Sequence, residues 1–113
     1  MDKKAVADLL KKLSGDGTDV TIMSDIEATM AMKNGQADYY FGCCATGAGG
    51  ALGIAFGLLG RDKCLTVSMV GKVLSQEEIS AGVKAGKVAF GFVNHDAEKI
   101  IPMLLKAIAE KQS

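Results

Sequence analysis

The chain has 113 residues, room for one domain with a sizeable core. Its thirteen basic and thirteen acidic residues cancel, so no charge excess points to nucleic acid or an anionic membrane surface. Tryptophan is absent and aromatic content is 5%, which weighs against base stacking.

Three cysteines, two of them adjacent, fit neither a disulfide framework nor a zinc spacing. The expectation is a reduced, cytoplasmic protein without metal or cofactor. Asp2-Lys3-Lys4 is followed by no apolar signal core. Residues 41–60 carry no charge and are long enough to span a bilayer. Glycines fill the part where a membrane helix would have to run, and flanking aromatic and cationic anchors are missing. A buried strand, a turn and a buried helix explain the stretch better.

In chain order, residues 2–13 place Ala5, Val6, Leu9, Leu10 and Leu13 on one helical face and lysines on the other. Residues 14–17 stop that helix. Residues 18–23 (TDVTIM) are β-branched and read as a strand. Ser24 and Glu27 have the spacing of a capping box, opening a helix that Asn34-Gly35 closes. A strand is expected over 37–43, a helix over 50–59, a strand over 65–70, and a second capping box at Ser75 to Glu78. The helix that follows ends near Gly86. A strand over 87–93 and a helix over 96–111 complete the chain. Pro102 lies inside that last helix and should bend it or cost it one hydrogen bond.

Alternating helices and strands imply a parallel sheet with helices on both faces. The expected fold is a Rossmann-like, three-layer α/β domain over residues 1–113, with about four parallel strands. Such domains normally open on a strand. This one opens on a helix and lacks the usual N-terminal strand.

Residues 41–51 (FGCCATGAGGA) join a strand to a helix. A glycine-rich turn there leaves peptide N–H groups open to an anion. Thr46 adds a hydroxyl, and Gly47, Ala48, Gly49 and Gly50 supply backbone donors. Ligands in such folds gather at the carboxyl ends of strands, which brings in Ser24, Lys72, Asn94 and His95. Arg61 and Lys63 precede a strand and belong at the opposite edge. A thiol at a helix N-terminus is more acidic than usual, which makes Cys44 the candidate base or nucleophile. His95, the one histidine, is its candidate acid–base partner. Cys43 points to the other sheet face in strand geometry. The bland readings are a turn selected for close strand–helix packing, buried apolar cysteines, and a surface histidine at a helix start.

Residues 38–51, 66–72 and 88–92 resemble the YhfU-like family, a small bacterial family of unknown function, and the resemblance covers almost the whole chain. It implies no assigned activity. Members of that family begin with a short strand and a Gly-Gly turn, which this chain lacks, and carry Pro where Val70 stands. A shortened chain or a late start is therefore expected. More locally, Cys44 to Gly49 (CATGAG) is similar to the C-G-T-G-x-G turn of the B-type ribose-5-phosphate isomerases. That resemblance implies a proton-abstracting Cys44 beside an anion-holding turn. Ala45 departs from the pattern, and the family's histidine turn has no counterpart.

The leading expectation is a small-molecule binding domain holding a phosphate- or carboxylate-bearing metabolite at the 44–50 turn. The alternatives are an isomerase-type enzyme with Cys44 as base, a phosphocarrier with a phospho-Cys, and a structural subunit. In the last case Gly49, Gly53 and Gly57 would form the contact face of a homo-oligomer.

Overall fold

The computed structural model describes residues 3–15, 18–44 and 52–112. The elements are α1 (Lys3–Ser14), α2 (Asp25–Lys33), β1 (Tyr40–Cys44), α3 (Gly53–Leu59), β2 (Cys64–Thr66), β3 (Ser68–Met69), β4 (Lys72–Val73), α4 (Gln76–Lys84), β5 (Ala89–Val93) and α5 (Ala97–Gln112). Single 3₁₀ turns, Arg61–Lys63 and Asn94–Asp96, precede β2 and α5.

Strands β1, β5 and β2 form a parallel sheet in that order. Tyr40 to Cys44 run in register with Ala89 to Val93, and Cys64 to Thr66 with Ala89 to Gly91. The central strand β5 is buried along its whole length, as a parallel strand covered on both faces must be. Its side chains alternate between two cores. Phe90 and Phe92 enter the larger one, built with Val6 of α1, Ile79 and Val83 of α4, and the apolar face of α5. Ala89 enters the smaller one with Tyr40, Leu52, Ala55 and Cys64, closed by α2 and α3. Helices α1, α4 and α5 thus cover one sheet face, and α2 and α3 the other. This is the three-layer α/β arrangement expected from the sequence.

Local signals place several boundaries. Ser24 Oγ accepts the Glu27 N–H at 3.2 Å, and Ser75 Oγ accepts the Glu78 N–H at 3.2 Å. Both capping boxes are complete. The bonds from Ser75 hold the Glu78 carboxyl below its ordinary value. Pro102 does not end α5, which continues to Gln112. It sits on the exposed side of the helix, where the carbonyl left without an N–H partner can meet water.

Two expected strands differ. Residues 18–23 form no strand: they run as irregular, mostly exposed chain, and a cleft lies between them and β1. Their β-branched composition gives propensity, but a strand also needs a ladder partner. Residues 65–70 split in two. Strand β2 ends at Thr66; the Val67 N–H donates to the Gly91 carbonyl at 2.7 Å, and the chain then turns away into an antiparallel β3–β4 hairpin. Gly71, at φ +81°, makes the tight turn at its tip. The described parallel sheet therefore has three strands where about four were expected.

Candidate functional site

The carboxyl edge of the sheet holds most of the described candidates. Cys44 is the last residue of β1 and is paired in register with Val93. Asn94 and His95 follow Val93 directly in the 3₁₀ turn that leads into α5. Ser68, at the start of the hairpin, is 2% exposed, and its Oγ accepts the Val93 N–H at 2.8 Å. That bond ties the hairpin to the end of the central strand. Ser68 did not stand out in the sequence, because its hydroxyl is recruited by the break after Thr66.

Thr46, Gly47, Ala48, Gly49 and Gly50 lie outside the described residues. Helix α3 begins at Gly53 rather than at Gly50. Just before it, Leu52 is 2% exposed and sits directly on Gly91 of the central strand.

Two candidates stand apart from that edge in their roles. The Ser24 hydroxyl is engaged as the N-cap of α2. Lys72 is exposed on β4, where its charge helps lower the Glu78 carboxyl. Strand β5 separates its side of the sheet from β1. The His95 side chain is 73% exposed, with Nε2 3.6 Å from Oδ1 of neighbouring Asp96. Asn94 is half-buried; its Oδ1 is fully buried and has no hydrogen-bond partner among the described residues. The buried Cys64 has its thiol pushed up by burial, which suits a packing role. Half-buried Cys43 packs against the larger core. Among the described residues no cluster of His, Cys, Asp and Glu could hold a metal ion.

A second feature was not legible in the sequence. A cleft of about 550 Å³ runs between residues 18–23 and β1, floored by apolar residues of α1 and α5. Its described charged lining is acidic: Asp19, Asp25 and Asp38. At its wall the Tyr40 hydroxyl donates to Asp25 Oδ1 at 2.6 Å. Burial, then this bond, raises the Tyr40 phenol far above its ordinary value. The acidic lining makes the cleft a poor place for an anion. Beside it, Ile22, Met23, Ile26 and Met30 are exposed on and before α2.

The parallel sheet covered on both faces, with candidate groups at its carboxyl edge, defines a Rossmann-like α/β domain. The family described as "Protein of unknown function DUF2620" matches residues 1–108, and the chain belongs to it. The chain is 45% identical over 87 residues to "Uncharacterized protein YhfU" of Escherichia coli strain K12, covering 77% of this chain and 74% of that protein. The proteins of the same description from Escherichia coli O6:H1 and Shigella flexneri match with the same identity and coverage. No solved structure matches. Among the described residues no helix is long and apolar enough to cross a membrane.

Proposed function

We propose that this chain binds a small anionic metabolite, phosphate- or carboxylate-bearing, at the turn that follows β1. The observation that carries the reading is the register of Cys44 with Val93 in parallel strands. It starts the 44–50 segment at the carboxyl edge of the sheet, where ligands of such folds collect. Thr46 donates its hydroxyl, and Gly47, Ala48, Gly49 and Gly50 donate peptide N–H groups. Glycines let the backbone approach a ligand closely and leave those donors unshielded. Asn94 follows Val93 directly, in the 3₁₀ turn after β5.

An isomerase reaction with Cys44 as base and His95 as partner has less support. The imidazole is exposed and its described contact is its own neighbour Asp96. A homo-oligomer is favoured by a separate observation: Gly53 and Gly57 are exposed on α3, with open space where a Cβ would stand. Small residues on an outer helix face let a second copy pack closely.

A thermal-shift screen of inorganic phosphate, sugar phosphates and small carboxylates tests the reading on wild type and Thr46→Ala. Ligand at one hundred times its Kd stabilises by about 2.7 kcal/mol. The expected result is a raised melting temperature in wild type that Thr46→Ala loses. Proton exchange from a bound sugar phosphate would add the isomerase reaction, and a phospho-Cys seen by mass spectrometry would replace binding with phosphate transfer. The absence of any shift with every anion would refute the reading.

A further inference from the structure

We infer that the cleft between residues 18–23 and β1 is a docking slot for an extended segment of a partner chain, which adds to the outer edge of β1 as a strand. The segment is apolar in its middle and basic at one end. Nothing in this slot depends on the turn proposed for the anion.

Strand β1 lies at the edge of the parallel sheet, with β5 on one side. On its other side a cleft of about 550 Å³ runs along residues 39–43. The Tyr40 N–H donates to the Val88 carbonyl at 2.9 Å, toward β5. Main-chain groups of successive residues in a strand point to opposite edges, so the Phe41 N–H and carbonyl face the cleft. Such an edge is a template for another strand. Residues 18–23 form no strand there: they are irregular chain and line the cleft themselves.

The helix layers are already in place over the slot. Val6 and Leu10 of α1 and Leu105 and Ile108 of α5 line it from one sheet face, and Ala28 and Ala31 of α2 from the other. A strand inserted there would be covered on both faces, as β5 is, and strands of that kind are apolar throughout. The occupant's middle is therefore a run of about five apolar residues, ~16 Å of extended chain. Beside the cleft Ile22 and Ile26 are 51% and 61% exposed, apolar area that a partner would shield.

Charge sets the end of the segment. Asp19 and Asp38 line the cleft and are exposed, while Asp25 is engaged by the Tyr40 hydroxyl. No described lysine or arginine lines the cleft. A basic residue on the occupant meets these carboxylates, and an acidic one is repelled. A small cation alone would answer the charge and leave the Phe41 main chain and the apolar floor uncovered.

The test follows fluorescence anisotropy of labelled, amidated peptides of the form Lys-Lys-X-X-X-X-Gly, with X drawn from Val, Ile, Ala and Thr, added to the intact chain. Saturable binding is expected. N-methylation of alternate residues removes the main-chain donors of one peptide edge, and one of the two patterns should weaken binding about tenfold or more. Glu-Glu in place of Lys-Lys should weaken it about twofold to fivefold, and the double variant Asp19→Asn, Asp38→Asn should erase that difference. Hydrogen exchange followed by NMR gives the geometry. Peptide should slow exchange of the Phe41 amide and leave the Gly42 amide, which points toward β5, nearly unchanged.

Failure of every peptide to bind at millimolar concentration overturns the inference. So does binding that both N-methylation patterns leave intact, or that leaves Phe41 exchanging as before. A Glu-Glu series as tight as the Lys-Lys series overturns the basic end. Phe41 protection that grows with protein concentration in the absence of peptide assigns the edge to a second copy. Spermidine binding as tightly as the peptides assigns the cleft to a small cation. Either result overturns the partner strand.

Discussion

Leu52 rests on Gly91 so closely that a Cβ added to Gly91 would stand 2.8 Å from Leu52 Cγ and 2.9 Å from Cδ1. The contact joins Leu52, the first described residue after Cys44, to the middle of the central strand. Gly91 is thus selected by close approach. Gly91→Ala should destabilise by about 1–3 kcal/mol through overpacking, read as a lower urea midpoint with unchanged slope. In a Leu52→Ala background the same change should cost much less, because the clashing group is gone. Equal cost in both backgrounds would place the strain elsewhere.

The Tyr40–Asp25 bond ties β1 to the first turn of α2. Tyr40→Phe should cost about 1–2 kcal/mol at neutral pH, as expected for a hydrogen bond to a carboxylate. The Tyr40 phenol is raised in the folded state, so its stabilisation is full below the unfolded value of 10.0 and is lost as pH rises above it. Wild type should therefore lose melting temperature faster than Tyr40→Phe between about pH 10 and 11.5. Parallel alkaline melting curves for the two proteins would contradict the assignment.

Gly57 is an exposed helical glycine on α3. In a free monomer Gly57→Ala should stabilise by about 0.5–1 kcal/mol, since alanine loses less backbone entropy on folding. Where a second copy packs on this face, the added methyl should instead reduce assembly. Analytical ultracentrifugation of both proteins over a hundredfold concentration range separates the two. A fall in association with Gly57→Ala supports the oligomer, and unchanged sedimentation with a higher melting temperature rejects it.

Much of this fold is visible in the order of residues because the signals are local. Ser24 to Glu27 and Ser75 to Glu78 announce helix starts with side-chain chemistry that needs nothing distant. The alternation within β5 sends Phe90 and Phe92 to one core and Ala89 to the other. Failures came where the outcome depends on a partner far along the chain. Residues 18–23 have strand composition and no strand, because a strand is a property of a pair. The run 65–70 reads as one strand, and only the pairing of Ser68 with Val73 shows that it folds back. Of the candidate site, the carboxyl-edge positions of Cys44 and Asn94 followed from strand order. The Ser68 bond and the acidic cleft did not, since each joins residues from separate elements.

The most direct test of the central claim is a titration of ¹⁵N-labelled protein with inorganic phosphate and glycerol 3-phosphate, followed by amide chemical shifts. Glycine amides resonate apart from the rest, so Gly47, Gly49 and Gly50 can be followed individually. The account predicts that these amides and Thr46 move most and saturably. The amides of Asp25 and Tyr39, in the acidic cleft, should stay still. Saturable shifts confined to the cleft, or none in the 44–50 turn at millimolar ligand, would contradict it.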